Sequence, residues 1–154
     1  MFKRAFTFVE VAVVIIMIGI LAAMVIPRFG SVTDDAKAAS LQSTLAGIRA
    51  GVAAFRTNAI LAGTSPFPSV DELVKQGVVM QSEIPANPFT SVAGVQEVKS
   101  AEASKRVVSN PEKYGWNYYV DNSVTPPAAV FYANSDEVTT VLDSGGKPKT
   151  ANQL

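Results

Sequence analysis

The sequence predicts an α+β protein in which one long N-terminal α-helix packs on a small antiparallel β-sheet. Three observations lead there. Of the 22 residues 6–27, 18 are hydrophobic and Glu10 is the sole charge. Leu41, Leu45, Ile48, Val52, Phe55 and Ala59 then recur at helical spacing. After Gly115 the texture changes to short aromatic and β-branched runs.

Taken in order, residues 6–26 make a helix just over ~30 Å long at ~1.5 Å per residue, enough to cross a bilayer core. A cleaved secretory signal would have a shorter apolar core closed by a small-x-small pair, and none closes this run near Ala22-Ala23. Lys3 and Arg4 precede it, so the positive-inside rule leaves the N-terminus in the cytoplasm and the body outside. The stripe of residues 41–59 continues the helix as an amphipathic stretch, with Arg49 and Arg56 among the residues off the stripe. Gly19 weakens the helix and Pro27, which removes a backbone donor, should kink it. Gly63, then Pro66 and Pro68, close it.

Ser69-Val70-Asp71-Glu72 reads as a capping box that opens a short helix with Leu73 and Val74 facing inward, stopped by Gly77. Ile84-Pro85-Ala86-Asn87-Pro88-Phe89 is a rigid turn. Residues 92–109 mix helix and strand signals and read as an exposed excursion. Residues 116–120, 129–133 and 138–142 read as three strands of one antiparallel sheet, and the tail from Ser144 onward reads as loose.

Composition removes much chemistry. The chain has no cysteine and no histidine, so disulfides, thiolate or imidazole zinc sites and His-dependent triads are excluded. Its 13 basic and 13 acidic residues balance, which argues against a general grip on nucleic acid, and no specific nucleic acid is expected as partner. The aromatic set Trp116, Tyr118, Tyr119, Phe131 and Tyr132 has no interleaved basic patch and reads as sheet core. Asp136, Glu137 and Asp143 lie close in sequence. Asp136 and Asp143 are weak candidates for a structural calcium, set against the simpler reading of solvated loop charges.

Glu10 is the anomaly. A carboxylate at the centre of an apolar membrane helix costs about 2.5–3.5 kcal/mol, less near an interface, and such residues usually have a partner. Phe6-Thr7-Phe8-Val9-Glu10, the apolar run after it, Gly19-Ile20-Leu21-Ala22-Ala23 and Pro27 resemble the N-terminus of type IV pilins and type II secretion pseudopilins. The resemblance is specific over residues 3–29 and weaker beyond, where Phe67-Pro68 and the Ile84–Pro88 loop stand in place of a common pseudopilin pattern.

That resemblance implies a pilin-like fold and a life history. Residues 1–5 correspond to a leader that a prepilin peptidase removes at the Ala5–Phe6 bond. Phe6 becomes the N-methylated first residue, and Glu10 pairs with the Phe6 ammonium of a neighbouring subunit. The family normally has Gly before the cleaved bond; here Ala5 stands there. Residues 6–27 become a transmembrane segment and then filament core, 28–62 its amphipathic continuation, and 63–154 the body. The implied function is that of a non-enzymatic subunit in a homo-oligomeric helical filament, either a type IV pilus or a type II secretion pseudopilus. It waits in the bacterial inner membrane and is assembled by a separate ATPase and platform protein. The different-class alternative is a membrane-anchored extracytoplasmic binding protein that never polymerises.

Overall fold

The computed structural model describes residues 7–154, and the side chains of all of these except 25–31. The helix α1 spans Phe8–Ala62 without interruption through Gly19 and Pro27. The chain divides into two compact units, one ending at Asp35 and the other spanning Ala36–Leu154. In the first unit the apolar side chains of α1 from Phe8 to Met24 stand exposed except the half-buried Ala12, and no described residue there is buried. Among the described residues no helix is long and apolar enough to cross a membrane. The described stretch 8–24 is shorter than the apolar run of the sequence, which extends from Phe6 to Ile26.

The second unit holds the core. The stripe predicted on α1 faces it: Leu41, Leu45, Ile48, Val52 and Ala59 are buried and Phe55 is half-buried. Leu41, Leu45, Ile48 and Val52 pack with Leu73, Ile84, Trp116, Tyr118 and Phe131. The Trp116 and Phe131 rings stack at 5.4 Å between centroids. The two large polar aromatics each find a carbonyl, Trp116 Nε1 donating to Pro85 O at 2.8 Å and Tyr118 Oη to Pro68 O at 3.0 Å. Buried hydroxyl and indole donors need such partners. Gly63 follows α1 with φ +69°, a left-handed conformation in which a glycine terminates a helix without Cβ strain.

The capping box at Ser69 is present: Glu72 N donates to Ser69 Oγ, and Ser69 N donates to Glu72 Oε2 at 2.8 Å. It opens α2, Val70–Val74. Leu73 is buried, but Val74 is exposed, so only one of the two expected inward residues faces the core.

The strands depart from the expected single antiparallel sheet. The strand β1, Val95–Glu97, pairs in parallel with β2, Trp116–Asp121, and β2 pairs antiparallel with β3, Ala128–Ala133. The strand β4, Val138–Leu142, leaves this sheet and pairs instead with β5, Pro148–Thr150. A parallel pair needs a crossover. Here it contains the helix α3, Ser100–Lys105. Val98 and Ala103 are buried against Tyr132 in a second small core. Residues 92–109 are therefore an anchored part of the body rather than an exposed excursion.

The tail is likewise not loose. After β5 a 3-10 turn, Ala151–Gln153, places Ala151 fully inside the core. Ala151 N donates to Glu137 O, and Asn152 N to Ser135 O.

Candidate assembly site

Two places combine exposure with directed polar chemistry. The first is the start of α1. Thr7 N and Thr7 Oγ1 both donate to Glu10 Oε2, at 2.8 and 2.9 Å, and Glu10 N donates to Thr7 Oγ1 at 3.2 Å. This is the same reciprocal pattern that Ser69 and Glu72 make. It satisfies donors that a helix N-terminus otherwise leaves open. The Glu10 carboxylate is exposed, and this bonding turns it back toward the N-terminal end of the helix. Ala5 and Phe6, the expected processing residues, lie outside the described residues. Gly19 sits on an open helix face, with nothing within 4 Å of the place a Cβ would take.

The second place is the face of the body where α1 meets β3. Arg49 reaches across to the strand edge and the tail: its Nη2 donates to Phe131 O at 3.2 Å and to Leu154 O at 2.9 Å. Burial, and then the nearby Arg106 charge, hold its guanidinium below the usual arginine value. Arg106 grips the same tail, donating to Asn152 O while Asn152 Nδ2 donates back to Arg106 O. Arg56 lies over the Phe67 ring at 4.9 Å. Between these residues opens a cavity of about 300 Å³ lined by Arg49, Val52, Arg56, Phe67, Tyr118 and Phe131, with Ala53 and Ala129 completing it.

A buried amide network fixes the body behind this face. Asn117 Nδ2 donates to Asn134 Oδ1 and Val107 O, Asn134 Nδ2 donates to Ser109 O and Tyr114 O, and Gln96 Nε2 donates to Asn117 Oδ1. No buried side-chain nitrogen or oxygen is left without a partner among the described residues.

Of the calcium candidates, Asp143 accepts Gly145 N and Lys147 N on Oδ1, which hold its carboxyl below the usual range and close the β4–β5 turn. Asp136 is exposed. Among the described residues no group of three or more acidic side chains is arranged to hold a metal ion.

Sequence reasoning missed Thr7 and the two arginines. Thr7-Phe8-Val9-Glu10 carries the same Ser/Thr-x-x-Glu signature that identified α2, so that signal was readable. The partners of Arg49 lie 82 and 105 residues away, and no local pattern points to them.

Comparison with known proteins adds one match. Over 50 residues the chain is 44% identical to the type IV narrow pilus major component PilA5 of Thermus thermophilus. This similarity supports membership of the type IV pilin family. The match covers 32% of this chain and 43% of the relative, so the chain spans less than half the length of the curated protein it matches. No family model matches the chain, and no solved structure matches it. The α+β architecture described above, with α1 against small sheets, is pilin-like.

Proposed function

We propose that the chain is a non-enzymatic structural subunit of a type IV pilus, stored in the bacterial inner membrane and polymerised into a homo-oligomeric filament. The observation that carries this is the similarity to a major pilus component, joined to an exposed apolar helix with Glu10 in its first turn. An exposed apolar surface of that extent needs a cover, either lipid or other helices.

In this reading the peptidase cuts at Ala5–Phe6, and the methylated Phe6 ammonium of one subunit meets Glu10 of the next. A carboxylate withdrawn from water without a partner is strongly penalised, so a subunit inserted at the wrong height leaves two charges unsatisfied. Glu10 then acts as a register device. Pro27 and Gly19 give the helix a place to bend or loosen. The ATPase and platform protein supply force from outside the chain. The pilus reading is preferred to a secretion pseudopilus because the matched relative is a pilus component.

The deciding experiment is mass spectrometry of the protein isolated from cells that hold the peptidase. A mature chain beginning at N-methyl-Phe6, found in sheared surface fibres, is the expected result. An intact Met1 in those cells, with no fibres, overturns the reading in favour of a membrane-anchored module.

A further inference from the structure

The cavity beside Arg56 has the chemistry of a receptor without its ligand. Its floor is aromatic and aliphatic, and Arg56 at its rim contacts a ring but no carboxylate among the described residues. Arg49 at the other side donates to Phe131 O and Leu154 O. An apolar side chain joined to an anion would complement this lining.

The same chain carries such a segment elsewhere. On β4 the side chains alternate: Thr139 is buried and Val141 half-buried, while Val138 and Leu142 stand 68% and 57% exposed. Asp136 and Glu137 immediately precede Val138, are exposed, and have carboxylates free of hydrogen bonds among the described residues. Three other carboxylates are tied down, Glu72 to Ser69, Asp121 to Ser123 and Asp143 to the turn it closes. Within residues 36–154, Asp136-Glu137-Val138 joins two free carboxylates directly to an exposed apolar side chain.

The two patches are made of different residues. The hairpin lies beside Gln42, Leu45, Ala46 and Arg49 through Val141 and Lys149, whereas from α1 the cavity is lined by Arg49, Val52, Ala53 and Arg56. A contact between two different patches of one chain is heterologous, and when it does not close it generates an open helix.

We propose that the α1–β3 cavity receives the Asp136-Glu137-Val138 corner of a second copy of this chain, Val138 entering the apolar slot and Glu137 pairing with Arg56. This rests on the filament reading and names one body-to-body contact within it. Opposite charges across such a contact set register and exclude wrong partners.

The test uses the full chain in cells that assemble it. Wild-type fibres must form first, and their absence counts against the filament reading itself. Given fibres, Arg56→Glu and Glu137→Arg should each lower fibre yield on the order of tenfold, through like-charge juxtaposition. The double variant Arg56→Glu/Glu137→Arg should restore it. Glu137 uses only its backbone inside the fold, donating to Ser135 Oγ and accepting from Ala151, so its substitution leaves the body intact.

A second measurement does not depend on charge. The chain has no cysteine, so Arg56→Cys/Glu137→Cys introduces the sole thiols. Oxidised fibres of that variant should run as a ladder of covalently joined subunits, with each single-cysteine chain giving none. Undiminished yield in the single charge variants, failure of the double variant to recover, or monomers alone in the oxidised fibres overturns the contact while leaving the filament reading in place. Cross-linking of the Arg56→Cys chain to a different protein overturns the second-copy occupant.

Discussion

Glu10 Oε2 lies within hydrogen-bond distance of two donors on Thr7, so in the isolated subunit the carboxylate completes the first turn of its own helix. The proposed filament asks the same group to meet a neighbour's ammonium. The two roles separate by substitution, because a capping box accepts glutamine as well as glutamate. Glu10→Gln should keep the bonds to Thr7 and lose the charge, while Glu10→Ala loses both. If the charge sets register, both variants remain stable in the membrane and both assemble poorly, as fibre yield against membrane-fraction abundance will show. Wild-type yield from Glu10→Gln would assign the role to capping instead. Thr7→Ala should weaken the first turn by about 1 kcal/mol. It should be visible as faster amide exchange at residues 8–10 and leave exchange in the body unchanged.

Among the elements, the β4–β5 hairpin is the one whose stability should respond most directly to acid. Its turn depends on the Asp143 carboxylate accepting Gly145 N and Lys147 N, which lowers its pKa below the unfolded value. A group with a depressed folded pKa stabilises above the unfolded value of about 3.9 and loses that contribution as pH falls through the folded one. The thermal midpoint should therefore fall between neutral pH and pH values below about 4 by less in Asp143→Asn than in the wild type. Glu72 and Asp121, also held low by their serine neighbours, leave a residual slope in the variant. An identical pH dependence in the two proteins would remove Asp143 from the account. The helix α2 was readable from four residues because capping is local chemistry. The hairpin was not, because β4 carries a strand pattern that says nothing about its partner. The pairing of Val138 with Thr150 depends on a tail that looks polar and loose when read alone.

At the scale of the molecule, the body is closed by a few close approaches that no periodicity announces. A Cβ at Gly115 would stand 1.8 Å from Val92 O and 3.1 Å from Asn87 Cβ, where the rigid turn and the residues just after it pass the start of β2. Gly115→Ala must push that turn away and should destabilise the chain by about 3 kcal/mol or more, read as a lowered urea midpoint. The same turn is fastened by Asn87 Nδ2 donating to Gly115 O at 2.8 Å. These contacts, with the Asn117–Asn134 pair and the arginine grip on the tail, hold a body that has no disulfide.

What the sequence determined by itself depends on near neighbours: the apolar run, the α1 stripe that buries Leu41, Leu45, Ile48, Val52 and Ala59, the capped α2, the positions of three strands, and the chemistry that a chain without histidine and cysteine cannot perform. Those signals survive because helix period and capping act over three or four residues. Tertiary structure alone decided that β1 runs parallel to β2, that β4 belongs with the tail, that residues 92–109 carry a second core, and that Arg49 reaches Phe131 and Leu154 on one face of the body with the Asn117–Asn134 network behind it. Each of these joins residues many positions apart, and a pleated strand or a buried amide accepts whichever partner the rest of the fold brings within reach.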